Sequence, residues 1–530
     1  MEIKTSVPAG TKTSSQTNLP WKVRVSNYLY PPHLPPSVQL LRRENIAIPA
    51  CYFLVGALQG LSGALMNVYP VDLGASEAQQ VTIVGLRGLP ASFKLIYGFI
   101  SDGNLLFGYR RKSYMFLGWG LTSLTMVLLF LNIKMYGAPS IDFLSVIYFL
   151  FGFGFWYADV MADSVVAEKA KLEPADSRGS LQSTCYALRF FALMLFAPVS
   201  TALYPTLGPE SIVFLMALLP LMIMPLVYAF REEFHPVVLT AKQQCGEIWA
   251  TVCSRAVWQP MAFVYIYNVL QIGNSAWKQY LVSTLGFTSV ELNSLLIASY
   301  VLLYVGVMAY KYYFIKWSWR SVYIITTAIN GVLSMLQILL IQGITFGLGA
   351  FWFSLGDDAM AEFIAGVQFL PTTIMMVHLC PSGSEGASYA MFTTVHNAAL
   401  NLSSMISTSL LSIWDVSKEV LASNSEQCDS CIPDDGTCMI TKEDIEVDVC
   451  GAGTMSGMIK LTLLTTALQC SGLLFVKLLP GTREELMALN YGHSSKVGGF
   501  IFLSITGISL LYSIVAGILN IVSPGWQGES

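Results

Sequence analysis

Charged side chains are scarce in this 530-residue chain: Asp, Glu, Lys and Arg together make up 12% of it, against ~25% in a soluble globular domain. With 54% hydrophobic residues and a mean hydropathy of +0.58, that shortage excludes a soluble fold and a basic nucleic-acid-binding surface. Histidine is scarcer still, with five copies. No His-Glu-x-x-His, Gly-x-Ser-x-Gly or P-loop pattern occurs. A zinc-protease centre, a serine-hydrolase elbow and a nucleotide-driven pump within this chain are thereby excluded. No cofactor and no metal site are expected. No cleavable leader is expected either. The first 45 residues are polar and Pro-rich ("YLYPPHLPPS"), and the first long apolar run, from about Ile46, is too long for a signal h-region.

What the chain does have is apolar windows of roughly 20 residues, enough to cross a bilayer. They fall at 46–69, 80–101, 113–134, 141–164, 182–205, 210–230, 259–282, 291–314, 320–344, 358–380, 386–413 and 455–479, with a thirteenth at 499–522. With the amino terminus inside, the connecting segments hold 21 Lys and Arg on the inner side and 4 on the outer. The positive-inside rule therefore predicts a cytoplasmic amino terminus. The expected division is a disordered cytoplasmic arm (1–45), a six-helix half (46–230), a cytoplasmic linker with a short surface helix (231–258), a second six-helix half (259–479) and a carboxy-terminal segment (480–530). Twelve spans in two sixes is the plan of major facilitator transporters. The fold class read here is an all-α polytopic membrane protein with a 6+6 helix bundle and an extra carboxy-terminal helix.

Four of the ten cysteines, Cys428, Cys431, Cys438 and Cys450, gather in the long loop 414–454, which the charge count places outside. That compartment permits disulfides, while Cys-x-x-Cys spacing also suits zinc. Abundant acids and no histidine in the loop favour two disulfides, with the pairing open.

The loop after the second span reads "GFISDGNLLFGYRRK". Gly98 lets two helices approach closely, and Asp102 stands ready to pair with Arg110 and Arg111 across a moving joint. Such a pair can hold one state of a gate and break in another. The run "LRGLPASFKLIYGFISDGNLLFGYRRKSYMFLGW" (86–119), with "ADVMADSVVAE" and "RGSLQSTCYALRFFA" (178–192), resembles the folate–biopterin transporters, a branch of the major facilitator superfamily. The resemblance implies an alternating-access bundle that takes up folates, pterins or, in some members, S-adenosylmethionine, coupled to protons. The four-Cys loop and the thirteenth apolar segment depart from it.

Asp159 and Asp163 lie four apart near the end of the fourth span, so both project from one face. Carboxylates in lipid are costly and functional by default. The negative helix end and the like charge one turn away favour a proton on one of them unless a cation stands beside it. Lys94, Arg189 and the Arg110–Arg111 pair are the available cations. Arg87 and Lys94, seven apart, share one stripe of the second span, and Lys94 and Arg189 fall at similar depths. If both helices line one cavity, as the resemblance implies, an anionic or pterin-like guest would meet Lys94, Arg189 and Arg87. The bland alternative is that each cation only neutralises an intramembrane acid.

In the second half, His396 and Asn397 fall near mid-membrane and Gln271 lies in the seventh span. These groups suit the hydrogen-bonding edge of a pterin, or plain contact between helices. Asp357, Asp358 and Glu362 read as solvated at the outer start of the tenth span. The expected function is proton-coupled secondary transport of a folate- or pterin-type solute by a monomer in the plasma membrane. S-adenosylmethionine or a nucleoside is the alternative cargo. A membrane-embedded enzyme using Asp159 and Asp163 is the alternative of another class.

Overall fold

Apolar runs fold here as long helices, because within a bilayer each backbone amide must be bonded inside its own segment. The computed structural model describes residues 20–21, 30–32, 34–75, 77–174, 179–232, 240–274, 276–277, 280–281, 284–380, 384–414, 439–442, 445–448, 452–490 and 494–522. An amino-terminal set comprises α1 (Ala47–Asn67), α2 (Glu77–Gly88), α3 (Lys94–Gly103), α4 (Lys112–Tyr136), α5 (Ile141–Ala170), α6 (Ser180–Leu207) and α7 (Pro209–Ala229). Helix α8 (Ala241–Cys253) follows. A carboxy-terminal set comprises α9 (Arg255–Leu270), α10 (Ser289–Ala309), α11 (Trp319–Ile341), α12 (Ala350–Leu379), α13 (Glu385–Leu410), α14 (Ala452–Ser471), α15 (Arg483–Asn490) and α16 (Lys496–Val522). A small antiparallel hairpin, Met439–Lys442 with Ile445–Asp448, is the sole sheet among the described residues. Cys428, Cys431, Cys438 and Cys450 lie outside the described residues.

Nine of the described helical stretches are long and apolar enough to cross a membrane. The remaining predicted windows depart for local reasons. Pro90 sits in a 3₁₀ stretch, Leu89–Phe93, that splits the second span into α2 and α3. The seventh span stops at Leu270, and Gln271–Asn274 run without helix. Their freed carbonyls are taken by neighbouring helices: Gln271 accepts from Ser403 at 2.8 Å, Ile272 from Gln469 at 2.8 Å and Gly273 from Ser407 at 2.6 Å. Broken helix at membrane depth is tolerated where protein satisfies it in this way. Helix α13 is long but carries too many Ser, Thr and Asn to rank as apolar. The thirteenth window is helix α16, which lies on α2, α8 and α13. Its seat is glycine-tight, since a Cβ at Gly499 would lie 2.7 Å from Cys253 Sγ.

Part of the arm expected to be disordered, residues 34–45, is ordered. Residues 34–46 form successive turns, because the Asn45 side chain bonds the carbonyl of Gln39 at 2.9 Å and the Gln39 amide bonds those of Pro31 and Leu34, each at 2.9 Å. Val38 is buried among the helices.

Within the amino-terminal set, α1 packs along α6, and α4 packs on both α5 and α7. Between the sets, α3 and α5 meet α13, and α6 meets α10. Small residues permit the closest approaches. On α4 and α5 the fit is reciprocal: a Cβ at Gly118 would lie 2.8 Å from Gly154 O, and one at Gly154 would lie 2.8 Å from Gly118 O. Overpacking such a contact costs about 1–3 kcal/mol. Gly154→Leu is therefore expected to lower the melting temperature of the detergent-solubilised protein by several degrees, as followed by intrinsic tryptophan fluorescence. An unchanged melting temperature would contradict this packing.

Candidate functional site

The break at Leu89–Phe93 leaves Lys94 on the first turn of α3, beside the positive end of the helix dipole. A lysine there needs an acid, and Asp159 on α5 supplies it. One Asp159 oxygen lies 3.0 Å from Lys94 Nζ, and the other lies 3.1 Å from Nη1 of Arg189 on α6. Arg189 Nε also donates to Gln59 of α1 at 3.2 Å. Asp163 accepts from the hydroxyl of Tyr52, also on α1. The ammonium of Lys94 is 4.2 Å from the ring centre of Trp156, close enough for cation–π attraction. Relative exposures of 6% for Lys94, 2% for Asp159, 4% for Asp163 and 9% for Arg189 put all four out of bulk water. Four helices thus meet at two carboxylates and two cations whose formal charges cancel.

The carboxy-terminal set faces this cluster with neutral groups. The Tyr389 hydroxyl on α13 lies 3.1 Å from both Gln182 Nε2 and the Tyr186 hydroxyl on α6. Two turns along α13, His396 is within electrostatic reach of Lys94, and its Nδ1 is buried without a partner among the described residues. Gln271, at the end of α9, likewise has a buried Nε2 without a partner among the described residues. Asn397 is partly exposed, and its side chain has no hydrogen bond among the described residues. Arg87 stands apart from the cluster on α2, beyond the Pro90 break, and faces Tyr148 and Tyr300. The structure therefore joins Lys94, Arg189, Asp159 and Asp163, brings His396 to Lys94, and leaves Arg87, Asn397 and Gln271 outside direct contact with the four.

At the loop end of the bundle a second network ties the two sets. Asp102 Oδ1 pairs with Arg110 at 2.9 Å and with Arg111, while Oδ2 accepts the Ala387 N–H of α13 at 2.7 Å. Arg111 reaches Glu168 of α5 at 2.7 Å, and Lys171 reaches Glu385 of α13 at 2.7 Å. The Glu232 carboxylate takes the backbone N–H groups of Arg110, Arg111 and Lys112 at 2.8, 2.9 and 2.8 Å. Gly98 is the point of closest approach, where an added Cβ would lie 2.5 Å from the Gly386 carbonyl.

The sequence profile of the BT1 family matches residues 56–425, well over half of the chain. The chain belongs to the BT1 family. Among curated relatives, the folate-biopterin transporter of Synechocystis sp. is 28% identical over 380 residues, covering 70% of this chain and 75% of its own. Folate transporter 1 of Plasmodium falciparum is 23% identical over 325 residues, covering 61% of this chain and 63% of its own. Among solved structures, a bacterial homologue of the iron transporter ferroportin in an outward-facing state aligns with a TM-score of 0.54 at 12% identity, over 82% of this chain and 99% of its own. That likeness concerns the fold alone, a major-facilitator-like bundle. Both curated relatives are named as transporters, so the membrane-enzyme alternative is set aside.

Several partners in this BT1 chain escape a reading of the sequence. Tyr52, Gln59 and Tyr389 lie in apolar or mixed runs where nothing in the local pattern marks them. Glu168, Glu232 and Glu385 carry a weak signal, as acids at span ends on the side expected to hold the basic loop. Asp357 corrects the expectation of a solvated residue. Helix α12 starts at Ala350, so Asp357 lies two turns inside it, buried and bonded to Gln337 Nε2 at 2.8 Å.

Buried Cys380 lies at the loop end, within electrostatic reach of Asp102, Lys171 and Glu385. Asp102→Asn leaves Arg110 and Arg111 undercompensated and is expected to raise the maleimide labelling rate of Cys380 several-fold, read peptide by peptide by mass spectrometry. Equal rates in the two proteins would mean that Asp102 does not hold this end shut.

Proposed function

We propose that this chain is a secondary transporter of folate- or pterin-type solutes, working by alternating access with proton coupling. The Lys94–Asp159–Arg189 cluster, buried where the two helix sets face each other, carries this reading. Intramembrane charges of both signs mark substrate paths and proton relays. The names of the two relatives supply the solute class. Lys94 and Arg189 receive carboxylate groups of the solute, with Arg87 further along the same path. His396, Asn397 and Gln271 offer neutral donors and acceptors to the edge of a pterin ring. Asp159 and Asp163 carry the coupling proton. Gly98, Asp102, Arg110 and Arg111 form the gate at the loop end, held by Glu168 and by the backbone of α13. The excess of Lys and Arg supports a cytoplasmic loop end and amino terminus. The working form is a monomer in the plasma membrane, with residues 46–230 and 259–479 as the two moving halves.

The test is uptake into proteoliposomes under an imposed pH gradient, with a panel of folate, biopterin, S-adenosylmethionine and a nucleoside. Uptake of folate or biopterin that collapses with the gradient is expected. Arg189→Ala and Asp159→Asn are each expected to reduce gradient-driven accumulation at least tenfold at equal reconstitution. Undiminished accumulation in both would remove these residues from the mechanism.

A further inference from the structure

The charge count of the central cluster constrains what an anion must bring with it. This argument rests on the transport reading above and adds a rule for the solute. Asp159 sets one oxygen on Lys94 and the other on Arg189, at 3.0 and 3.1 Å. That is the bridging position which a solute carboxylate would take between the same two cations. With both carboxylates ionised, Asp163 adds the second negative charge and the four formal charges sum to zero. No other Lys or Arg pairs with Asp159 or Asp163 among the described residues. The groups facing the pair from each packed helix are Lys94 of α3, Arg189, Tyr186 and Cys185 of α6, Cys51 and Tyr52 of α1, and Tyr389 of α13, while His396 of α13 is within reach of Lys94. Arg87 lies beyond the Pro90 break, against Tyr148 and Tyr300. An anion added to this neutral, buried cluster leaves one uncompensated charge in a poorly solvating interior.

We infer that Asp159 is an internal stand-in for the solute carboxylate: the solute displaces it from Lys94 and Arg189, and one proton enters for each carboxylate bound there. The displaced Asp159 carboxylate takes that proton from the buffer acid of the aqueous phase, which is left as its base, and forms its O–H, while Asp163 keeps the hydroxyl of Tyr52. The cluster then returns to a sum of zero with the solute in place. Release reverses both steps, so neither the solute nor the proton moves alone. A clamp that favours carboxylates also ranks solutes. Folate and p-aminobenzoylglutamate present a carboxylate to it, whereas biopterin has none.

The measurement is calorimetric titration of the purified, full-length wild-type protein with folate, in phosphate and in Tris. Uptake of about one proton per folate is expected, with affinity rising about tenfold for each pH unit lowered. Asp159→Asn and Asp163→Asn each remove one negative charge and are expected to bind folate with no proton taken up and a flat pH profile. Folate that binds the wild-type protein with the same heat in both buffers overturns the inference and leaves the folate reading standing. A lack of folate binding at every pH defeats that reading, and the inference with it. Biopterin taking up a proton on binding, as folate does, also overturns the inference.

Discussion

Asp159 is the interaction on which the rest of the bundle depends. One carboxylate holds Lys94 of α3 and Arg189 of α6 against α5, and Arg189 reaches on to α1 through Gln59. Helix α3 needs that anchor more than a continuous helix would, because the 3₁₀ stretch at Leu89–Phe93 interrupts its hydrogen-bond ladder to α2. In an apolar interior the desolvation of three charged groups offsets much of their attraction, yet removing one partner leaves a bare charge at about 3–5 kcal/mol. The cluster is thus a poor source of stability. It is a sharp constraint on which states of the bundle are allowed.

That constraint reaches the loop end through rigid rods. Helix α3 carries Lys94 and, eight residues on, Asp102. Helix α5 carries Asp159 and, nine residues on, Glu168. Helix α13 carries Glu385 and, eleven residues on, His396. At 1.5 Å per residue these separations are roughly 12 to 17 Å along the axes. Each rod therefore has one end in the central cluster or facing it and the other in the loop-end network. Helices do not compress over such distances, so a rigid displacement of any of these three helices, one of which belongs to the opposite set, moves groups at both of its ends.

Much of this was legible in the sequence because hydrocarbon permits so little variety. Apolar length and the scarcity of charge mark the spans, and the four charges near or within lipid stand out because each is expensive there. Spacing alone aligned Asp159 with Asp163, and depth counted in residues set Lys94 level with Arg189. Neutral partners were not legible. Tyr52, Gln59 and Tyr389 cost little to bury in any helix, so their positions carry no signal until the helices are packed. Helix ends misled in the same way. Asp357 reads as solvated only if α12 begins near residue 358, and Ala350–Leu379 places it two turns inside.

The buried amides and hydroxyls of the carboxy-terminal set separate into two kinds, and the separation bears on function. Gln368 donates to the Tyr267 hydroxyl at 3.0 Å and to Thr326 at 2.8 Å, a satisfied group that fixes α9, α11 and α12 to one another. His396 Nδ1 and Gln271 Nε2 are buried with no such partner among the described residues. An unmade hydrogen bond in a dry interior costs about 1–3 kcal/mol, so a chain built only to pack helices has reason to pair these atoms as it pairs Gln368. Under the transport reading proposed above, these open atoms, one of them within electrostatic reach of Lys94, are where a guest with its own donors and acceptors would bind, with Lys94 and Arg189 on the other set of helices for its carboxylate.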